Sequence, residues 1–256
     1  MTTVPARILD LARPARRVVV LTGAGMSAES GVPTFRDAQT GLWEHFDPAD
    51  LATPEAWDRD RASVWAWYQW RVALVRRVQP NAGHRALARW GRTVDLSIVT
   101  QNVDDLHERA GSPVLSHLHG SLFSPRCAEC GTPADLPEAP TEPVARLDPP
   151  ACGACGGDVR PGVVWFGEPL PAGPWEAATA SVLTADVVFV VGTSGIVYPA
   201  AGLPSLARRH GIPVVEVNPE QTDLSDRVDE VWRTTAAVGL PQLVAAVAAE
   251  QTPRLQ

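Results

Sequence analysis

The chain has 256 residues, a formal charge of −7 and no lysine, all 22 of its basic residues being arginine. That length can bury a full core, as an α/β domain carrying a small insertion. The acidic balance argues against a nucleic-acid groove, and no run of about 18 apolar residues supports a membrane span. The missing lysine excludes Schiff-base chemistry and a P-loop lysine. The start, MTTVPARILDLARPARR, carries no apolar signal core, so a cytoplasmic protein is expected.

In chain order, Val18–Leu21 suits a buried parallel strand and runs into Gly23-Ala24-Gly25-Met26-Ser27-Ala28, a G-x-G-x-x-A turn. Gly23 permits the tight turn, and Gly25 lets backbone approach a pyrophosphate at the positive end of the following helix. No strand ending in Asp or Glu follows about 20 residues on, which points away from ordinary hydride transfer. Arg61–Val78 has the pattern of an amphipathic, Trp-rich helix. Leu96–Thr100 is strand-like and ends in Gln101-Asn102-Val103-Asp104. There Asn102 and Asp104 suit a carboxamide or ribose, or a simple helix cap.

Val114–Leu118 leads to His119-Gly120, with His117 two residues earlier on the same strand face, so strand geometry does not choose between the two imidazoles. The four cysteines fall as Cys127-x2-Cys130 and Cys152-x2-Cys155, each pair beside glycine and separated by residues 131–151. This spacing predicts one closed tetrahedral zinc site with a structural role; disulfides or buried small hydrophobes are the alternatives. Thr132–Pro150, between the pairs, is a Pro- and acid-rich loop. Val187–Val191 precedes Gly192-Thr193-Ser194-Gly195, Val214–Val217 precedes Asn218-Pro219-Glu220, and Val244–Glu250 reads as a closing helix. The alternation predicts an α/β parallel sheet, with the Trp-rich helix and the cysteine segment inserted as a small domain. Ligands are expected in the cleft between the two.

GAGMSAESGVPTFRD, TQNVDDLHERAG, HLHG, the paired CxxC motifs, RPGVVWFGE, VVGTSG and EVNPE occur in this order across nearly the whole chain. Together they resemble the sirtuin family, the NAD-dependent protein-lysine deacylases. The resemblance implies a Rossmann-type parallel sheet over 1–37, 80–120 and 160–256. It also implies an inserted zinc-ribbon plus helical domain over 38–79 and 121–159, with Cys127, Cys130, Cys152 and Cys155 holding one structural zinc.

By position, Gly23, Ala24, Gly25, Ala28, Phe35 and Arg36 would hold NAD, Phe35 shielding the reactive ribose face. Gln101, Asn102 and Asp104 would surround nicotinamide and its ribose. Gly192, Thr193, Ser194, Asn218 and Glu220 would hold the adenosine half, and Ala236 would offer its backbone near adenine, although Thr234-Thr235-Ala236-Ala237 departs from the family's Gly-containing stretch. His119 would be the general base. In the family mechanism the acyl oxygen attacks C1′ of the nicotinamide ribose, nicotinamide leaves, and the histidine helps a ribose hydroxyl attack the resulting imidate. Val163–Glu168 resembles the segment that pairs with substrate peptide, Val164 and Phe166 binding it. Acyl-lysine proteins are then the partners, with no nucleic acid or membrane, and a monomer is expected.

Tyr68-x-x-Arg71 lies on the Trp-rich helix, and an i, i+3 pair projects from one face. Within the family such a pair marks the class III group, where it binds the distal carboxylate of succinyl-, malonyl- or glutaryl-lysine. Asp50-Leu51-Ala52-Thr53-Pro54 also resembles that group, whose small Ala leaves room for the longer acyl chain. Removal of succinyl and malonyl groups, with weaker deacetylation, is the expected activity. A plain deacetylase, a protein ADP-ribosyltransferase and an NAD-sensing module without catalysis are the alternatives.

Overall fold

The computed structural model describes residues 3–33 and 48–251. In chain order its elements are α1 (Ala6–Ala12), β1 (Arg17–Thr22), α2 (Gly25–Ala28), α3 (Pro48–Leu51), α4 (Pro54–Arg59), α5 (Arg61–Arg77) and α6 (Ala82–Trp90). There follow β2 (Asp95–Thr100), α7 (Leu106–Arg109), β3 (Val114–His117), β4 (Arg126–Cys127), β5 (Val159–Arg160), α8 (Ala172–Thr184) and β6 (Val187–Val191). The chain then forms α9 (Leu203–Arg209), β7 (Val214–Val217), β8 (Glu230–Trp232) and α10 (Ala236–Gln251).

Valine-rich runs make the sheet. β1 reads RVVVLT and is buried from Val18 to Thr22, and β6 reads VVFVV and is buried throughout, as strands covered on both faces must be. Six strands lie in the order β3-β2-β1-β6-β7-β8, every neighbouring pair parallel. The order reverses between β1 and β6, so a crevice opens beyond the carboxyl ends of those strands. Ile8, Met26, Leu87, Trp90, Phe189 and Leu240 fill one side of the sheet. Val182, Val188, Val190 and Leu203 fill the other. The expected α/β Rossmann-type sheet is therefore present.

A third core lies off the sheet and joins Trp57, Trp65, Trp67, Tyr68, Leu122, Cys127, Val159, Val163 and Trp165. It unites α4 and α5 with the antiparallel pair β4-β5 and with the chain leaving β5. Helix α5 starts at its Asp60 cap, whose carboxylate accepts from Ser63 N–H at 3.2 Å. The sequence pattern predicts an amphipathic helix here, yet α5 is enclosed on most of its circumference, because the Pro-rich loop covers its outer side. Leu147 N–H donates to Ala62 O at 3.0 Å, Arg77 to Thr141 O at 2.7 Å, and Arg146 to Asp60 at 2.5 Å.

Two further departures have local causes. β8 is a three-residue edge strand, too short and too polar to register as an apolar run. α10 starts at Ala236 rather than Val244, since Gly239 and Pro241 read as breakers in sequence. In the fold Gly239 is a packing device: a Cβ there would lie 2.4 Å from Thr234 Cγ2. Among the described residues no helix is long and apolar enough to cross a membrane.

Candidate active site

The loops leaving β1, β2, β6 and β7 meet at the carboxyl edge of the sheet. Gly23 N–H donates to Val191 O at 3.1 Å and Gly25 N–H to Gly192 O at 2.8 Å, so two glycine turns interlock. Gly192 has φ +61°, and a Cβ on it would stand 2.4 Å from Met26 N. Only glycine fits that approach. The following α2, Gly25–Ala28, is a single turn, and the N–H groups of Gly25, Met26 and Ser27 are taken by Gly192 O, Gly23 O and Ala24 O, so this edge is a tightly bonded glycine turn rather than the start of a long helix dipole. Ala24 is half-buried and Ala28 exposed beside this turn.

Thr193 connects the neighbouring loops. Its Oγ1 accepts from Gln101 Nε2 at 3.2 Å, and its carbonyl accepts from Asn218 Nδ2 at 3.1 Å. Asn218 Oδ1 accepts from Glu220 N–H at 3.2 Å, and Glu220 O accepts from Arg233 at 2.6 Å. Arg233 also pairs at 3.3 Å with Glu216, a carboxylate 1 % exposed on β7 that accepts from Ser225 at 2.7 Å. Ser194 is half-buried next to Thr193. Ala236 opens α10 and is buried, its carbonyl 2.7 Å from where a Cβ on Gly83 would lie.

Below the crevice runs a buried polar chain. Asn102 Nδ2 donates to Ser27 Oγ at 3.1 Å, and Ser27 Oγ donates to Asp104 Oδ2 at 2.9 Å. Burial raises the Asp104 carboxyl above its ordinary 3.8, opposed by hydrogen bonds from Leu106 N–H and Ser27. Thr100 Oγ1 accepts from Asn102 N–H at 3.0 Å and from Thr22 Oγ1 at 2.8 Å, and Thr22 Oγ1 meets His107 Nε2 at 3.2 Å. Asn102 and Asp104 are thus buried and fixed from beneath, and Asp104 Oδ1 also caps α7 by accepting from Leu106 N–H at 3.1 Å. Ser27, Thr22, Thr100 and His107 went unnoticed in the sequence. For the first three the signal is a small hydroxyl at each point where an apolar strand or turn ends.

The structure separates the two imidazoles. His117 Nε2 pairs with Glu108 at 2.7 Å and its Nδ1 with Asn102 O at 3.3 Å, so both nitrogens are engaged. His119 uses only Nδ1, which meets Gln101 O at 3.0 Å; among the described residues its Nε2 makes no hydrogen bond. A carbonyl accepts, so Nδ1 carries the hydrogen and Nε2 is the free basic nitrogen. Burial lowers the His119 pKa from its ordinary 6.5, opposed by the Gln101 carbonyl.

His119 is tied to the segment after β5. Val164 N–H donates to His119 O at 2.9 Å, and Gly120 pairs with Val163 in an antiparallel bridge. Phe166 N–H donates to Ala52 O at 2.9 Å, while the Phe166 side chain is 47 % exposed. Val164 is half-buried. Tyr68 and Arg71 are both buried on α5, and Trp165 Nε1 donates to Tyr68 Oη at 3.0 Å. Burial pushes the Tyr68 phenol up and the Arg71 guanidinium down, and each charge opposes the shift of the other. The pair belongs to the interior wall beside residues 163–166, rather than to a solvated helix surface.

The cysteines gather as expected. The four Sγ atoms lie within 4.8 Å of one another, Cys127 to Cys155 at 3.4 Å and Cys130 to Cys152 at 3.7 Å. None is in a disulfide. Tetrahedral zinc with bonds of about 2.3 Å sets its sulfurs about 3.8 Å apart, so the cluster fits that metal. Backbone N–H groups of Cys130 and Glu129 point at Cys127 Sγ, and Ala154 N–H at Cys152 Sγ, which stabilises thiolates. Four thiolates close the shell, and Cys127 and Cys152 are built into the third core. Cys127→Ala or Cys152→Ala is expected to release zinc and lower the unfolding temperature, because metal binding and folding free energy are shared in such sites. One zinc per chain by metal analysis is the accompanying measurement, and a variant that keeps full stability contradicts it.

The fold and this edge define an α/β protein whose interlocked glycine turns and polar loops are built for a dinucleotide, with the His119 imidazole held by the Gln101 carbonyl at the same edge. The model of the Sir2 family matches residues 23–199, and the chain belongs to that family. It is 52 % identical to an NAD-dependent protein deacylase of Corynebacterium glutamicum over 245 residues, 94 % of this chain and 95 % of that protein. It is 56 % identical over 230 residues to an NAD-dependent protein deacylase of Mycobacterium tuberculosis H37Rv, covering 89 % and 96 % of the two chains. Among solved structures, a Sir2 homologue in complex with NAD superposes with a TM-score of 0.90 at 42 % identity, over 98 % of this chain and 96 % of that one. A Sir2 variant with deacetylated p53 peptide and 3′-O-acetyl ADP-ribose gives 0.79 at 28 % identity, over 94 % and 97 %. Phe35 and Arg36, expected at the ribose face, lie outside the described residues.

Proposed function

We propose that this chain is an NAD-dependent protein-lysine deacylase whose preferred acyl groups, succinyl and malonyl, end in a carboxylate. NAD is consumed as co-substrate and supplies the ADP-ribose that accepts the acyl group. The glycine turns at Gly23–Gly25 and Gly192 hold its phosphates, with Ala24 and Ala28 beside them, and Phe35 and Arg36 contribute to NAD binding. Gln101, Asn102 and Asp104 orient nicotinamide and its ribose. Thr193, Ser194, Asn218, Glu220 and the Ala236 backbone take the adenosine half. His119 Nε2 receives a proton from a ribose hydroxyl. Peptide lies along Val163–Phe166, contacting Val164 and Phe166, which brings the acyl-lysine between His119 and α5.

The observation that carries the acyl preference is the buried pair Tyr68 and Arg71, set in the wall next to Trp165 of that same segment. A guanidinium and a phenol together match a carboxylate, the first by parallel bonds and the second by one more. Ala52 is small, and its carbonyl accepts from Phe166 N–H, which sets this short side chain beside the same segment. Incubation of succinyl- and acetyl-lysine peptides with NAD, followed by mass analysis, tests the reading. Free lysine and O-succinyl-ADP-ribose are expected, with the succinyl peptide turned over at higher kcat/KM. A protein that gains ADP-ribose instead, or a preference for acetyl, overturns it.

A further inference from the structure

Trp165 is 2 % exposed and held more firmly than a wall residue requires. The Arg160 guanidinium stacks 3.4 Å from its ring centroid, and Trp57 packs against it with centroids 5.7 Å apart. Arg160 is itself fixed by two bonds to Glu168, at 2.6 and 2.9 Å, and a third to Val163 O at 3.2 Å. Glu168 Oε2 also accepts from the Trp165 backbone N–H at 2.8 Å. The indole cannot turn without opening this ion pair, of which Arg160 is 8 % and Glu168 20 % exposed.

The clamp aims one hydrogen. Trp165 Nε1 can only donate, and it donates to Tyr68 Oη. A phenol has one hydrogen and its oxygen lone pairs, so this bond occupies the oxygen and leaves the Tyr68 hydrogen for another acceptor. Among the described residues none takes it. Arg71, the charge that acts most on this phenol, is likewise a donor only. Trp165 and Arg71 thus both give hydrogen, while the Glu168 carboxylate, which also acts on the phenol, is spent on Arg160 and the Trp165 backbone N–H; donation into a hydroxyl oxygen strengthens the bond its own hydrogen makes.

We propose that Trp165 is a positioning residue for acyl-chain specificity: its indole N–H, locked by the Arg160–Glu168 pair, commits the Tyr68 hydroxyl to donate to the carboxylate of the acyl group. The proposal rests on the reading that Tyr68 and Arg71 meet that carboxylate. An acceptor at position 165 would instead spend the Tyr68 hydrogen and leave an oxygen lone pair facing an anion.

Trp165→Phe keeps a ring in the clamp and deletes the N–H. The expected result is a fall of about three- to tenfold in the succinyl-to-acetyl ratio of kcat/KM, the worth of one hydrogen bond, carried by the succinyl KM with kcat held. In a Tyr68→Phe background the same substitution is expected to move that ratio by less than about twofold, since the oxygen it acts through is gone. Benzothienylalanine placed at position 165 has the indole shape with sulfur for N–H, and carries the test if the phenylalanine variant folds poorly. An unchanged ratio in the benzothienylalanine protein, or equal falls with and without the Tyr68 hydroxyl, overturns the proposal. Arg71→Met in parallel separates the two levels. Selective loss of desuccinylation there, with Trp165 substitutions neutral, removes the role of Trp165 and leaves the carboxylate reading standing; a non-selective Arg71→Met removes both.

Discussion

Replacing His119 by alanine is expected to abolish turnover while leaving the fold and NAD affinity nearly intact. The side chain contributes one hydrogen bond, to Gln101 O, and stands on a turn after β3 rather than in any of the three cores. Its loss therefore takes little from the sheet, whereas a positioned base is worth about 10²–10⁴ in rate. Single-turnover assays with NAD binding measured in parallel check this, and near-normal turnover contradicts it. The same assignment fixes a pH dependence. Burial lowers the His119 pKa below its ordinary 6.5, so the neutral base persists to pH 6.5 and beyond on the acid side. The kcat/KM profile should have its acid limb centred below pH 6.5 and fall about tenfold per pH unit beneath the shifted pKa. An acid limb centred above 6.5 assigns the titration to another group.

Arg71→Met is expected to damage removal of acidic acyl groups selectively and to spare acetyl removal. Acetyl has no carboxylate, so no bond to that substrate is lost. Succinyl would bring an uncompensated charge into a wall in which Arg71 is 9 % and Tyr68 4 % exposed. Leaving such a charge unpaired costs about 3–5 kcal/mol, a few hundredfold or more in relative specificity. Methionine keeps the length and much of the apolar contact against Trp67, whose ring lies 5.1 Å from the guanidinium carbon. Tyr68→Phe should act in the same direction by less, about 1.5–3 kcal/mol for one donor to a charged acceptor. The observable is the ratio of kcat/KM for succinyl- and acetyl-lysine on one peptide sequence. Equal loss on both substrates makes the pair structural and favours a plain deacetylase.

Much of the candidate site is legible in one dimension because it sits on short, contiguous loops after apolar strands. The glycine turn at Gly23–Gly25, the polar run Gln101–Asp104, His119-Gly120 and Gly192-Thr193-Ser194 each follow a run that reads as a buried parallel strand. The cysteine spacing likewise carries its own geometry. The residues that went unread act across distance in the chain. Ser27 bridges Asn102 and Asp104, 75 and 77 positions away, and Trp165 meets Tyr68 97 positions away. No periodicity encodes such contacts.

Sequence by itself determined the alternation of strands and loops, the metal ligands and the chemistry available at the sheet edge, because strand burial, turn conformation and thiolate coordination are decided within a few residues. It left open which of His117 and His119 keeps an unengaged ring nitrogen, whether Tyr68 and Arg71 face solvent or a wall, and where the last helix begins. Tertiary structure decided these. Glu108 takes Nε2 of His117 and leaves that of His119 free; the loop over α5 and the segment around Trp165 bury a helix whose own pattern is ambiguous; and close packing against Trp232 and Thr234 turns Gly239 from a breaker into a contact. Each outcome depends on which groups the fold brings to the same few ångströms, since the same side chain is a solvated charge at a surface and a selective partner once water is excluded.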